Sequence, residues 1–314
     1  GVSASSRPEP LGRAAGRGEF TVSALSYLQR FGDVELAVRA SGKGIPFIWG
    51  HSLMGSMQVE DRAGLWDWRS IERHAQVVRY DARGHGNSDG SYRKEDYQWQ
   101  HMAADMLAVA ESFTTGRRNR YILGGMSMGA ATALDAALQA PGQVAGLVLA
   151  LPPTAWATRA RQAAVYRRLA QVSGWFGAAP YRLLDLLPKP IRQDGRSLLA
   201  LNTMKSLAQA NPLHVQATLG GAALSDMADT DQIARLKVPT LILAWEDDTA
   251  HPLSTAETLA ATLPNPHELV ICDPTDITGW EEAMVGFVKE VSARSSRQKT
   301  GGGRSSKKKG RTAA

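Results

Sequence analysis

Six short apolar runs limit how this 314-residue chain can fold. They are rich in Val, Ile and Leu, as strands covered on both faces are: IPFIWG, AQVVRYDARG, RYILGG, VAGLVLAL, PTLILAW and HELVIC. Helical patterns such as TALDAALQAP and STAETLAATLP lie between several of them, and before them two alternating segments flank Gly32 as in a β-hairpin. The alternation predicts an α/β fold with a mostly parallel, doubly wound sheet.

Composition divides the chain into four parts. Residues 1–18 have the Gly, Pro, Ser and Arg mixture of an unstructured leader, and residues 154–237 interrupt the alternation with helix-like sequence. We therefore predict an α/β core formed by residues 19–153 and 238–292 around a helical insertion. Residues 293–314 carry eight Lys or Arg and no acid, which predicts a disordered basic tail.

The net charge of +6 comes mainly from that tail, so the folded part is close to neutral. We expect no nucleic-acid partner for the core and at most weak contacts of the tail with polyanions. No apolar run approaches the roughly 18 residues of a membrane helix, so no membrane partner is expected. The single cysteine, Cys272, excludes an internal disulfide and is predicted to be a buried strand residue in a cytoplasmic protein.

A serine between two glycines marks the end of one apolar run, in Gly125-Met126-Ser127-Met128-Gly129. The glycines permit a tight turn from strand to helix that lifts the hydroxyl clear of the backbone. RYILG supplies the strand and MGAATALDAALQ the helix, which favours a nucleophile over a purely structural turn. A serine hydroxyl still needs a base to accept its proton.

Three further segments stand out, which are His51-Ser52-Leu53, DARGHG and LILAWEDDTAHP. Together with the serine turn they occur in the order found in the α/β-hydrolase family, which the chain resembles over about residues 22–292. His51-Ser52-Leu53 resembles the H-G-x oxyanion turn with serine in place of glycine, and DARGHG, beginning at Asp81, resembles the D-x-R-G-H-G turn. LILAWEDDTAHP resembles the segment that delivers the triad acid, and its spacing matches Asp248 rather than Asp247.

The resemblance implies acyl transfer on Ser127. Water would later release the acyl group, and the backbone N–H groups of Met128 and Leu53 would hold the oxyanion. It also implies that the insertion at residues 154–237 is a helical lid.

The histidine that this family carries after its last strand is missing. That loop reads DPTDITGWEEAM, and Asp276 occupies about the place of the histidine. Four explanations are open. The base is His251, three residues after Asp248, or Asp276 itself accepts the proton despite its low reference pKa. Alternatively, Asp276 is a substitution made to trap a ligand or intermediate, or the fold has abandoned hydrolysis and kept a binding pocket.

Met126, Trp156, His51 and His214 are the candidates for contacting a substrate. No Cys/His cluster has metal-ligand spacing, and no phosphate-cradling loop occurs, so neither a metal nor an organic cofactor is expected. The sequence predicts a serine hydrolase that cleaves a carboxylic ester or lactone of a small, partly apolar molecule. The alternative is a non-hydrolytic ligand-binding protein on the same fold.

Overall fold

The computed structural model describes residues 26–114, 120–186 and 194–302. The predicted leader at residues 1–18 lies outside this range, as does the tail beyond residue 302. The strands are β1 Ser26–Phe31, β2 Val34–Gly42, β3 Pro46–Gly50, β4 Gln76–Tyr80, β5 Tyr121–Met126, β6 Val144–Ala150, β7 Thr240–Trp245 and β8 Pro266–Cys272. The α-helices are α1 Met57–Ala63, α2 Trp68–Glu72, α3 Trp99–Ser112, α4 Met128–Gln139, α5 Arg159–Phe176, α6 Ala179–Leu186, α7 Gly195–Gln209, α8 Pro212–Leu224, α9 Thr230–Ile233, α10 Leu253–Thr262 and α11 Thr278–Gly302.

The eight strands form one sheet in the order β1-β2-β4-β3-β5-β6-β7-β8. The pairs β1–β2 and β2–β4 are antiparallel, and all pairs from β4 to β8 are parallel. The predicted fold class and the hairpin around Gly32 are confirmed. Because the chain leaves β3 for β4 on one side and returns to β5 on the other, the strand order reverses between β3 and β5. Ligands of open α/β sheets bind at such a reversal, beyond the carboxyl ends of the strands.

Helices cover both faces of the sheet, as the continuous apolar strands require. One apolar cluster packs α3, α4 and α10 against the sheet, with Met106, Leu134 and Leu259 fully buried. The other packs α2 and α11 against the opposite face, where Trp280 stacks on Trp245 at 5.1 Å between ring centroids. Every residue of β3, β5, β6 and β7 is buried, so the middle of the sheet is a rigid support for the turns at its edge.

Helices α5 to α9 lie between β6 and β7, and we call them the insertion helices. Arg159 connects them to the rest of the molecule. Its buried guanidinium donates to the carbonyl oxygens of Ser225, at 2.7 Å, and Ala222 at the end of α8, and it stacks over the Trp99 ring at 4.4 Å. Charge-assisted hydrogen bonds to carbonyl oxygens at a helix end are favourable, so this contact holds α5 and α8 against α3.

Two expectations need correction in the last part of the chain. Helix α11 continues to Gly302, into the segment predicted to be a disordered tail. Residues 293–300 contain helix-forming Ala, Arg, Gln and Lys and no Gly or Pro, so nothing stops the helix before the glycines at its end. Cys272 is half-buried instead of buried because β8 is the edge strand of the sheet.

No helix in the described ranges is long and apolar enough to cross a membrane.

Candidate active site

Ser127 lies in the turn between β5 and α4 with a strained backbone. Its φ of 57° and ψ of −112° are rare for a residue with a side chain, and its N–H donates to the Ala150 carbonyl at 2.8 Å. Strain of this kind persists only where the surroundings enforce it, and it is concentrated at functional sites. The turn places the serine oxygen at the carboxyl edge of the sheet, beside the reversal between β3 and β5.

The flanking glycines are required by the packing of α4 on the sheet. A Cβ on Gly129 would lie 2.1 Å from the carbonyl oxygen of Gly50, and a Cβ on Gly125 would lie 2.4 Å from the backbone of Gly129. These neighbours are backbone atoms, which cannot move aside as a flexible side chain can. The G-x-S-x-G pattern therefore reflects the close approach of α4 to β3 and β5 as well as the tight turn itself.

A chain of hydrogen bonds runs from Ser127 through His251 to Asp248. The Ser127 hydroxyl donates to His251 Nε2 at 2.7 Å, and His251 Nδ1 donates to Asp248 Oδ2 at 2.9 Å. Both distances fall within the range expected of a nucleophile, its base and the group that orients the base. The structure thus brings together three of the residues singled out from the sequence, although 124 positions separate Ser127 from His251.

The loop after β7 supplies both His251 and Asp248. Asp248 Oδ1 accepts hydrogen bonds from the backbone N–H groups of Ala250, at 2.9 Å, and His251, at 3.3 Å, which closes a turn over four residues. The Ala250 carbonyl in turn accepts from the N–H of Thr154, which fixes the loop to the end of β6. One carboxylate therefore shapes the loop with one oxygen and orients the imidazole with the other.

The Asp248 carboxylate stays ionised in this setting. Burial alone would raise the pKa of Asp248, but the hydrogen bond and the charge of His251 and the N–H of Ala250 outweigh it and hold that pKa at about 2. An ionised Asp248 stabilises the proton on His251 Nδ1, and this leaves Nε2 with the lone pair that accepts the serine proton.

The turn after β3 lies directly against the nucleophile turn. The Gly129 N–H donates to the His51 carbonyl at 3.1 Å, and the Gly55 N–H closes the turn onto the Ser52 carbonyl at 2.9 Å. Met54 has a positive φ of 58°, and Leu53 precedes it. Met128 is the first residue of α4, so its N–H has no partner within the helix and is available to a ligand oxygen.

The side chain of His51 is not a substrate contact, which corrects its assignment from the sequence. The ring is buried, its Nδ1 donates to the Ser52 carbonyl at 2.8 Å, and its Nε2 accepts from the Ala82 N–H at 2.9 Å. Burial lowers the pKa of His51 to about 4, so the ring is neutral at ordinary pH. Both nitrogens are used to fasten the turn after β3 to the turn after β4.

Met126 is not a substrate contact either. It is fully buried in the apolar cluster on the α11 side of the sheet, because neighbouring residues of a strand point to opposite faces and Met126 directly precedes Ser127.

Trp156 is partly buried between the core and the insertion helices, and its indole N–H donates to the Ala228 carbonyl at 3.1 Å. His214, on α8, packs its ring against Tyr92 at 5.0 Å.

Asp276 takes no part in the hydrogen-bond chain of Ser127. Its fully exposed carboxylate accepts from the hydroxyl of Thr278, at 2.7 Å, and from the backbone N–H of the same residue, at 3.1 Å, at the start of α11. These bonds lower the pKa of Asp276. Asp and Asn commonly bond in this way to the backbone two residues further on, so the local structure accounts for the aspartate.

Asp81 is a supporting residue to which the sequence analysis gave no role. Its buried carboxylate accepts from the N–H groups of Met57, at 2.7 Å, and Asn87, at 3.0 Å. It thereby joins the first residue of α1 to the turn after β4, beside the turn that carries Leu53. The signal was present in the sequence, since Asp81 opens the DARGHG segment.

Comparison with known proteins identifies the family of the chain. A family model described as Hydrolase_4, serine aminopeptidase S33, matches residues 71–274. The chain belongs to this family of α/β-hydrolases. Among curated proteins, "Putative carbamate hydrolase RutD" of Shigella flexneri is 29% identical over 221 residues, 66% of this chain and 78% of RutD. The chain is therefore a hydrolase.

Solved structures share the fold at low sequence identity. An esterase from Thermogutta terrifontis superposes with a TM-score of 0.66 at 21% identity, covering 82% of this chain and 94% of the esterase. The enol-lactonase of Burkholderia xenovorans LB400 gives a TM-score of 0.59 at 19% identity, covering 84% of this chain and 97% of the lactonase. At these identities the likeness establishes the fold alone.

Proposed function

We propose that the protein hydrolyses a carboxylic ester or lactone of a small, partly apolar molecule through an acyl-enzyme on Ser127. The hydrogen-bond chain from Ser127 through His251 to Asp248 carries this proposal. It favours His251 as the base among the four explanations that the sequence left open, and it makes a purely ligand-binding role the less favoured alternative.

In the first step, Ser127 Oγ attacks the substrate carbonyl carbon while its proton passes to His251 Nε2. The carbonyl oxygen becomes an oxyanion, which the N–H groups of Met128 and Leu53 hold, a contribution of roughly 3–4 kcal/mol per donor. His251 then gives its proton to the leaving alkoxide as the C–O bond breaks, and an acyl-enzyme remains.

In the second step, a water molecule attacks the acyl carbon and gives a proton to His251. The acyl–serine bond breaks, His251 returns the proton to Ser127 Oγ, and the free acid leaves. Asp248 stays ionised throughout and stabilises the imidazolium that forms in each step. For a lactone, the alkoxide and the acid are the two ends of one hydroxy acid product.

The position of the base departs from the pattern of the family that the sequence resembles. His251 comes from the loop after β7 instead of the loop after β8, yet the order serine, acid, histidine along the chain is kept. Because β6 alone separates β5 from β7, the end of β7 is near enough for a side chain to reach Ser127. This is consistent with the convergence of triads on geometry and not on sequence position.

The insertion helices act in this proposal as a lid that supplies an apolar wall. Met54, Tyr181, Val215 and Leu219 form a buried apolar cluster between the turn after β3 and the insertion helices, and Leu53 and Tyr166 pack against it. A wall of this kind beside the oxyanion donors favours an apolar acyl or alcohol group over a charged one.

The test is turnover of short p-nitrophenyl esters together with labelling by a fluorophosphonate. We expect wild-type protein to hydrolyse the esters and the probe to react at Ser127, and Ser127→Ala to lose both properties. A wild-type protein that neither turns over esters nor reacts with the probe would favour the ligand-binding alternative. A series of esters and lactones of increasing chain length then reports on the apolar wall.

A further inference from the structure

A polar cavity of about 440 Å³ lies apart from the proposed catalytic residues, between the insertion helices and the turns after β3 and β4. On one side it is lined by the end of α7 and the start of α8, and on the other by residues 54–62 and 84–88. Neither Ser127 nor His251 lines it. Its volume lies within the roughly 300–1,000 Å³ range of small-molecule sites.

The charge of the lining is positive. Arg62 on α1 and Lys205 on α7 are exposed at the cavity from opposite sides, and neither forms an ion pair with another residue in the described ranges. Asp81 is the acidic residue of the lining, and both of its oxygens already accept backbone N–H groups. Two cations without a carboxylate partner therefore face a concave surface, an arrangement that attracts anions.

The lining also offers neutral polar side chains, among them Gln58, Asn202 and Gln209. Their amide groups carry both donors and acceptors, which suit the hydroxyl groups of a ligand.

We propose that this cavity binds a small hydroxylated anion, a sugar phosphate or sugar acid, whose charged group pairs with Arg62 and Lys205. The ligand hydroxyls bond to neutral polar side chains of the lining such as Gln58, Asn202 and Gln209. Ser127 and His251 do not line this site, although it shares Met54 and Val215 with the apolar wall proposed for the ester substrate. Because Arg62 belongs to the core and Lys205 to the insertion, the bound anion also holds α7 and α8 against α1.

The test is isothermal titration calorimetry with four probes: ribose 5-phosphate, gluconate, inorganic phosphate and ribose. We expect ribose 5-phosphate or gluconate to bind the full chain, with phosphate weaker and ribose undetected. Which of the two binds more tightly identifies the charged group as phosphate or carboxylate. Replacing Arg62 and Lys205 together by alanine should weaken binding about tenfold or more.

The matched control replaces Arg235 and Lys237, an exposed Arg and Lys outside the cavity, and should bind like the wild type. Lys205→Glu should abolish binding by repulsion, and amide hydrogen exchange across residues 202–215 should slow when the anion is added to wild-type protein. The proposal is overturned if neither hydroxylated anion binds at about 10 mM. It is also overturned if ribose binds as tightly as the anions, or if the two double variants weaken binding equally.

Discussion

Replacing His251 is the sharpest test of the catalytic proposal, because the imidazole links Ser127 to Asp248. His251→Ala removes both hydrogen bonds, of 2.7 and 2.9 Å, and leaves the serine without a proton acceptor. His251 is partly exposed in a loop, with 18% of its side-chain surface accessible, so the substitution removes little packing. Loss of activity in this variant can therefore be separated from loss of the fold.

The expected magnitude follows from what the base contributes. Removing a triad member leaves the oxyanion donors and substrate binding, and kcat typically falls by roughly 10⁴–10⁶. At about 1.4 kcal/mol per factor of ten, this corresponds to roughly 5–8 kcal/mol of transition-state stabilisation. KM should change little, since the imidazole contacts the nucleophile more than the bound ester.

The assay is steady-state hydrolysis of a p-nitrophenyl ester, with the melting temperature of each variant measured alongside. Asp248→Asn should lower kcat by about 10⁴, because the amide no longer stabilises the productive tautomer. Asp276→Asn is the matched control, and its kcat should equal that of the wild type because this carboxylate is exposed and bonded only within its own turn. Asp276→His should give no gain for the same reason.

Two results would contradict the assignment of His251 as the base. His251→Ala that folds normally and keeps kcat within about threefold of the wild type would exclude His251 as the base. A gain of orders of magnitude in Asp276→His would show that the loop after β8 is the natural place of the base.

Three further substitutions should change the stability of the protein. Gly129→Ala should cost more than about 3 kcal/mol in the free energy of unfolding, because its Cβ meets backbone at 2.1 Å, and thermal denaturation will show it. Burial raises the pKa of Asp135 to about 7, so the native state holds that proton to higher pH than the unfolded chain and stability falls between about pH 4 and 7. Asp135→Asn should therefore match the wild type in pH dependence below pH 4 and gain up to roughly 4 kcal/mol relative to it above pH 7, measured by urea unfolding at both pH values. Arg159→Ala should leave buried carbonyl oxygens of α8 without their donor, at roughly 1–3 kcal/mol each, and speed hydrogen exchange in α8.

The parts of the fold that depend on local pattern could be predicted from the sequence. Short continuous apolar runs specify strands buried on both faces, and the parallel sheet from β4 to β8 follows from their alternation with helices. The turn at Ser127 was equally accessible, because the glycines, the preceding strand and the following helix all lie within one segment.

Contacts between distant residues could not be predicted in the same way. Sequence spacing suggested that His251 and Asp248 share an edge of the sheet, but it could not show that the turn closed by Asp248 Oδ1 aims the imidazole at Ser127. The prediction that His51 contacts the substrate was wrong for a related reason. The position of His51 after β3 is near the nucleophile, yet the buried ring bonds to the backbone groups that surround it, which are the Ser52 carbonyl of its own turn and the Ala82 N–H of the turn after β4.

The side of the sheet that each strand residue faces was available in principle. Met126 directly precedes Ser127, and strict alternation along β5 puts its side chain on the face opposite to that of Gly125. The end of α11 is hard to predict because basic residues next to Gly and Ser are also typical of disordered tails. The same residues are good helix formers when no Gly or Pro separates them from a packed helix.

Asp248 and His251 both follow β7, and this position protects their alignment from motion at the edge of the sheet. All six residues of β7 are buried, whereas β8 forms the border of the sheet and Ile271 on it is 40% exposed. Edge strands open most easily, because only one side of such a strand is hydrogen-bonded to a neighbouring strand. Asp248 and His251 follow β7, one strand further inward, so transient opening of β8 leaves their alignment with Ser127 intact. The connection from β8 to α11 carries no member of this hydrogen-bond chain and is free to change in evolution.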